Sequence, residues 1–443
     1  MDNPNKVVFK LRNGITGLII PVDTQLTDVS VSILLGENHE KPNETEITHY
    51  MEHLMARFTS QKYQDYKMIS RELHKRGAIS NAYVNNYETK FFIQGFYKDV
   101  EFYMDLLANT ISNFHLEKSL VKQEKNAVIQ ELQGYSTNPY YIFNMKMWRY
   151  LYYKYAYQLD YAKHIKFIKN YKSENIYKYI QDHILLHNVI ISVSCPLRAI
   201  KKTKNLIKKY FDFPNKNKNK LIKYPVYQYN NRGLKVIYVS NKHYKNDNVE
   251  IKLTVDGIIK YLSTKHIALS LLREILFNFE TGIFYKKLRD ELGLVYNVGI
   301  DLNVDIANPV LSSYSINTSV TYHKVPRLLK ELLEILKHLE ITDEQIDEAK
   351  RKNLLQYEHQ KFHTLTSYNR YYGQYLLRKV PIVERSRIVE KFNKIKNKDV
   401  RKVLKEFQKE TLQEGIIFYY AKKNLNRQIR DVLKQNKIKY VAI

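Results

Sequence analysis

The chain switches between strand-like and helix-like hydrophobic spacing, and it runs through the same order twice. Val7–Phe9 and Thr16–Pro21 flank Asn13 and Gly14, a pair that favours a tight hairpin, and Asp28–Leu35 has the period of two expected of a strand. A helix is predicted around His49 and another over Tyr66–Lys75. Strands follow at Ser80–Val84 and Lys90–Gly95, then helices over Val100–Ser112 and Glu117–Glu131. A helix-rich stretch, 140–186, leads to a strand at Asn188–Ser194. Beyond the polar, turn-prone segment Phe211–Lys220 the order recurs. Leu234–Val239 and Glu250–Val255 read as strands, and Lys265–Asn278 as a helix in the place of the His49 helix. Tyr314–Thr321 reads as a strand, and Val325–His338 and Thr342–Gln356 as helices. The pattern predicts a duplicated α+β protein: residues 1–213, a linker at 214–231, and residues 232–443, each half a mixed or antiparallel sheet covered by helices.

Composition narrows the class without naming it. A chain of 443 residues with 44% apolar content can bury a large core and divide into two to four domains or subdomains. The formal charge of +27 predicts attraction to acidic peptides, nucleic acid or anionic membrane. The lysines are spread along the chain, however, with no zinc finger, glycine-rich nucleotide motif or basic-aromatic repeat beside them, so no specific nucleic-acid role is expected. Cys195 is the single cysteine, which excludes an intrachain disulfide and a cysteine-based metal site, and a reducing compartment is the simplest setting. Residues Met1–Lys10 have neither the apolar core of a signal peptide nor an Arg-rich amphipathic pattern, and no run approaches 18 apolar residues. The expectation is a soluble protein of the cytoplasm or another intracellular compartment, without a membrane span.

The candidate chemistry centres on His49-Tyr50-Met51-Glu52-His53. Histidines four apart project from one helix face, about 6 Å apart along the axis, so both can reach one metal ion. Glu52 flanks the same site and can hold an attacking water. A catalytic zinc site needs a third protein ligand and an open position, and two His with one Glu is a standard set. Glu131 is the best candidate for that ligand. It stands seven residues after Glu124, nearly on the same helix face, and Glu124 could then accept a hydrogen bond from a ligand imidazole. Two ordinary surface carboxylates in a Lys- and Gln-rich helix would have the same spacing, so spacing alone leaves that choice open.

His49, Glu52 and His53 followed by Glu124 and Glu131 resemble the active site of the pitrilysin/insulinase family, zinc peptidases of the H-x-x-E-H (inverzincin) type that include the mitochondrial processing peptidases. The resemblance implies that His49, His53 and Glu131 ligate one Zn2+ per chain, that Glu52 is the general base, and that Glu124 is a second essential glutamate. The stretch Gly77–Thr89 is similar to the family's edge strand, where substrate backbone adds as an extra strand near Asn81 and Ala82. Phe284–Val298 is similar to its second-half motif, in which Arg289 and Tyr296 would contact the peptide near the scissile bond. Arg289 can hold a carbonyl or carboxylate, and Tyr296 can donate to negative charge that develops in the reaction. Some positions depart from the family pattern. Glu46 and Thr48 replace a small Gly and Ala before the first His, Ala56 and Phe58 replace Phe and Gly after the second, and Val84 replaces Thr. These changes are expected to alter packing and pocket shape while leaving the ligands in place.

The second half lacks the H-x-x-E-H motif and the glutamate pair, with Ala349 and Gln356 falling roughly where Glu124 and Glu131 sit in the first. One half is therefore expected to bind metal and the other to supply substrate contacts. The resemblance further implies two homologous halves that become clam-like in a dimer. The partners implied are an extended or unfolded peptide substrate and a second subunit. Because the zinc motif, Arg289 and Tyr296 share one chain, a homodimer would contain every part; a heterodimer is the other arrangement. The alternative function is a non-catalytic assembly or scaffold subunit that retains the fold. The intact set of charged residues argues against it, since paired charges around an empty metal site give a scaffold no packing advantage.

Overall fold

A computed structural model describes residues 5–41, 43–151, 161–215, 217, 233–240, 247–257, 259–359 and 365–442. Of the expected linker, 214–231, only Pro214, Asn215 and Asn217 are among them. The chain forms two compact units. The first comprises residues 1–136, 160–226 and 362–383, and the second 137–159, 227–361 and 384–443.

The first unit is built on a six-stranded mixed sheet in the order β1-β2-β6-β3-β5-β4. Its strands are β1 (Val7–Lys10), β2 (Thr16–Val22), β3 (Leu26–Ile33), β4 (Ile79–Val84), β5 (Thr89–Phe96) and β6 (Val189–Pro196). Gly14 closes the β1–β2 hairpin at φ +99°, a backbone conformation that a side chain would strain. β2 and β6 run parallel and the other pairs antiparallel. The helices of this unit are α1 (Ile47–Met55), α2 (Tyr66–Lys75), α3 (Val100–Ser112) and α4 (Lys118–Thr137), followed after a gap by α6 (Tyr161–Asn170), α7 (Ser173–His183) and α8 (Ile200–Phe211). Val29, Val31, Phe91, Ile93, Ile191 and Val193 point from the sheet into one core with Tyr50, Leu54 and Leu107, all fully buried. That core fixes α1 over the sheet, where it packs beside β4.

The helix between those groups, α5 (Pro139–Leu151), belongs to the second unit. There Phe143, Met147 and Leu151 pack on Ile237, Val239, Ile416 and Phe418. Conversely α13 (Leu365–Leu377), from the C-terminal half of the sequence, belongs to the first unit. It seats Tyr372 and Leu377 against Leu18, Ile20 and Ile190, and Asn369 Nδ2 donates to the backbone carbonyl of Asp28 at 3.0 Å. Each sheet thus has a face covered by a helix from the other half of the sequence.

The second unit repeats the sheet as β12-β7-β11-β8-β10-β9. Its strands are β7 (Lys235–Ser240), β8 (Asn248–Asp256), β9 (Val298–Asn303), β10 (Ser313–Thr321), β11 (Ile416–Ala421) and β12 (Lys439–Ala442). Five of them, from β7 across to the edge strand β9, correspond place by place to those of the first unit. The outer strand beside β7 differs: β12 is C-terminal and parallel, whereas β1 is N-terminal and antiparallel. The remaining helices are α9 (Thr264–Phe277), α10 (Ile283–Tyr285) continued by a π-helical turn at Lys286–Glu291, α11 (Val325–Lys337), α12 (Asp343–His359), α14 (Arg385–Lys394), α15 (Asn397–Glu414) and α16 (Arg427–Gln435). The α+β class and the mixed sheets agree with the sequence reading. Among the described residues no helix is long and apolar enough to cross a membrane.

Candidate metal centre

The site forms where α1 and α4 meet through long side chains. Tyr50 Oη donates to the carbonyl of Val121 at 2.6 Å and ties the two helices together beneath the charged groups. On α1 the rings of His49 and His53 stand edge to face with centroids 4.9 Å apart. On α4 the Glu131 carboxylate comes to both of them: its Oε2 lies 3.6 Å from His49 Nε2 and 3.5 Å from His53 Nε2. Among the described residues these three form the one His/Cys/Asp/Glu group able to converge on an ion, with donor atoms all within 4.8 Å of one another.

That spacing fits zinc. Donors bound to a tetrahedral zinc at roughly 2.0–2.1 Å stand about 3.3 Å from each other, close to the separations here and longer than the 2.7–2.9 Å or so of a tight charge-assisted hydrogen bond. The imidazoles are also held from behind. His49 Nδ1 donates to Glu46 Oε2 at 2.8 Å, and His53 Nδ1 to Glu124 Oε2 at 3.3 Å, so the two Nε2 atoms are left to face Glu131. A carboxylate on the far nitrogen of a histidine is the usual way to orient a metal-binding ring.

The other expected residues take graded positions around this triad. Glu52 is 8% exposed, and its carboxylate lies 4.0 Å from His53 Nε2, beside the cluster rather than in it. Burial raises its carboxyl above the ordinary range. Glu124 is almost fully buried and receives two hydrogen bonds from Arg57, at 2.9 Å from Nε and 2.6 Å from Nη2. Burial opposes its charge, but His53 and Arg57 outweigh that and hold the carboxyl below its usual range. Burial likewise opposes protonation of His49 and His53. The Glu131 and Glu46 carboxylates overcome it at His49, pushing it up to about 11, and Glu124 and Glu131 do so at His53, pushing it up to about 9. Metal uptake at such a site is coupled to proton release.

Asn81 and Ala82 lie on β4, the outer strand of the first sheet, paired with Phe92 and Phe91 of β5. The Ala82 amide donates to the Asn81 side chain at 2.9 Å. Arg289 and Tyr296 meet each other in the second unit. The Arg289 guanidinium lies over the rings of Tyr285, Tyr296 and Phe279 at 4.7, 4.9 and 5.5 Å and donates to Tyr285 Oη, while Tyr296 is 82% exposed. Sequence reasoning missed four supports of the metal site: Arg57, Tyr135, His164 and the role of Glu46. Tyr135 Oη donates to Glu131 Oε1, and His164 Nδ1 lies 2.8 Å from Glu46 Oε1. Two of them carried a signal, because Glu46 and Tyr135 each lie one helical turn from the residue they hold, whereas Arg57 holds Glu124 on another helix.

Known proteins place this geometry. Residues 21–160 match the insulinase family (Peptidase family M16), and residues 170–353 match the Peptidase M16 inactive domain. Cytochrome b-c1 complex subunit 1, mitochondrial, of Bos taurus is 28% identical over 135 residues, 30% of this chain, and the match spans only 28% of the bovine protein's length. An uncharacterized zinc protease of Rickettsia bellii is 20% identical over 359 residues, 78% of this chain and 82% of that one. The crystal structure of a protease from Helicobacter pylori superposes with a TM-score of 0.77 at 19% identity, covering 94% of this chain and 99% of that chain, and so shares the fold. The metal-centre half and the half without ligands thus fall under the two tandem patterns, and the chain belongs to the insulinase (M16) family of peptidases.

Proposed function

We propose that the protein is a zinc-dependent endopeptidase that hydrolyses extended peptides or precursor segments. The observation that carries this reading is the convergence of two Nε2 atoms on one Glu131 oxygen, each ring backed by a carboxylate. In this reading His49, His53 and Glu131 hold one zinc ion per chain. Bound there, the ion would acidify a water molecule and polarise a carbonyl. Glu52 takes the proton of the attacking water and returns it to the leaving amine, roles suited to a carboxyl whose proton affinity burial has increased. Glu124 steadies His53, and Arg57 keeps Glu124 ionised.

The free edge of β4 around Asn81 and Ala82 offers backbone groups to an extended substrate, a grip that demands little of its sequence. Arg289 offers planar donors to a substrate carbonyl or carboxylate, and the exposed Tyr296 hydroxyl a donor to developing negative charge. A homodimer would unite two complete sets of these residues.

Metal analysis of the purified protein, combined with a quenched-peptide assay on wild type and Glu52→Gln, tests the reading. About one zinc per chain is expected, with turnover abolished by a chelator. The variant should keep its metal and lose activity by roughly 10²- to 10⁴-fold. Zinc-free protein with undiminished turnover would overturn it.

A further inference from the structure

Glu46 occupies a place where its backbone and its side chain are both unusual. It is the residue before the first turn of α1, at φ +65° and ψ +5°, a left-handed conformation in which a residue with a Cβ is strained. Such a position ordinarily goes to glycine, or to a residue whose side chain caps the helix. Glu46 does not cap. Glu40 does that work instead: its carboxylate oxygens accept the backbone N–H groups of Glu46 and Thr48, both at 2.9 Å. The Glu46 side chain is thereby left free. It is 7% exposed and lies between two imidazoles, with Oε2 accepting from His49 Nδ1 and Oε1 2.8 Å from His164 Nδ1. His164 is itself 3% exposed, and it is drawn from α6, whose Tyr161 also packs near Tyr135.

We infer that Glu46, braced by His164, is a positioning residue for the metal ligand His49: it fixes the ring with Nδ1–H directed at a carboxylate and the Nε2 lone pair directed at the ion. A buried carboxylate in a strained backbone is costly unless its partners repay it. The two imidazoles are those partners, and only one of them, His49, belongs to the triad. Together with Glu124 behind His53, this gives each ligand imidazole its own carboxylate. The effect of losing such an outer partner is typically 10- to 100-fold in metal affinity. The inference rests on the zinc reading above.

The test measures zinc dissociation constants of the full chain by competition with a chromophoric chelator, alongside the melting temperature of the metal-stripped protein. Glu46→Gln keeps the side-chain shape and the left-handed backbone but offers one neutral acceptor oxygen to two imidazoles. Its zinc affinity should fall by about tenfold to 100-fold. Glu46→Gly removes the carboxylate and also relieves the backbone strain, so zinc affinity should fall at least as far whichever way the melting temperature moves. A merely structural role would move affinity only in step with stability. A folded Glu46→Gln protein that binds zinc within twofold of wild type would overturn the inference, and it decides the matter even where the glycine variant does not fold. Wild-type protein that takes up no zinc would instead overturn the metal assignment itself, an outcome distinct from equal binding by wild type and variant.

Discussion

The helix pairs α1/α4 and α9/α12 hold the same place in the element order of their two units, and among the described residues only one pair carries the candidate metal ligands. Counted from the first residue of each helix, Glu124 and Ala349 are both seventh, and Glu131 and Gln356 both fourteenth. In the second unit Ala268, Leu271, Leu272 and Ile275 of α9 and Ile346 and Ala349 of α12 are all buried, and the two helices pack directly on each other. In the first unit the same frame holds His49, Glu52, His53 and Glu124, all buried or largely so, in an arrangement that a hydrophobic filling would make cheaper. The sheet and its helices therefore do not need the charges. The charges need the frame, together with Glu46, Arg57, Tyr135 and His164 to keep each of them paired.

The largest effect should separate the units outright. His53→Ala removes a ligand and should weaken zinc binding by more than about 100-fold, beyond what loss of an outer partner does. Gln356→Ala, at the matching place of Glu131 in the second unit, should leave zinc content unchanged by metal analysis. Loss of zinc from the Gln356 variant would mean that the halves are not divided as the sequences of α4 and α12 imply.

Moving the charge across the duplication should fail. Ala349→Glu places a carboxylate at a position, 3% exposed, that the chain fills with a methyl group. Destabilisation of about 3 kcal/mol is expected from an uncompensated buried charge, read as a lower urea midpoint. An unchanged midpoint would show that the second unit tolerates charge at this interface, and the contrast between the frames would then lose its energetic basis.

Arg57→Met tests the support rather than the ligand. Glu124 would keep His53 but lose two hydrogen bonds at a side chain that is 2% exposed. A cost of about 2 kcal/mol in stability is expected, less if water replaces the partly exposed guanidinium, with a roughly tenfold loss of zinc affinity. Urea unfolding and chelator competition report the two separately. Affinity equal to wild type would leave Arg57 as packing alone.

How much of this was legible follows from how local each signal is. The hairpin about Gly14, and the helices Tyr66–Lys75 and Val100–Ser112, stand where their periodicity puts them. β11 was not predicted, because Ile416–Ala421 is buried at every position and so shows no alternation. The exchange of α5 and α13 was equally hidden, since hydrophobic spacing shows that a helix has an apolar face and not which sheet covers it. At the site, the triad was visible because His49 and His53 share one helix and the two glutamates another. Glu46 was read as a packing change, because a sequence does not display a positive φ. His164 has no local relation to the residues it serves, and α6 gives no hint of it.

Tyr135 marks the limit of that legibility and gives the smallest effect. The predicted helix ended at Glu131, but α4 runs on to Thr137, past Gly134, and that extra stretch carries Tyr135 back under the carboxylate. Its hydroxyl donates to Glu131 Oε1 while Oε2 faces the imidazoles, so one oxygen is pinned and the other presented. Its ring also packs near Tyr161, with centroids 5.9 Å apart, so Tyr135→Phe should keep the packing and remove only the hydrogen bond. The carboxylate would then be free to rotate, at a cost of about 1 kcal/mol, or roughly fivefold in zinc affinity. Chelator competition resolves a change of that size. The expected sign is a faster loss of zinc with the fold intact, because the hydroxyl orders Glu131 and does not bear on the core; a variant that melts lower yet binds zinc as tightly as wild type would assign Tyr135 to α4 rather than to the metal centre.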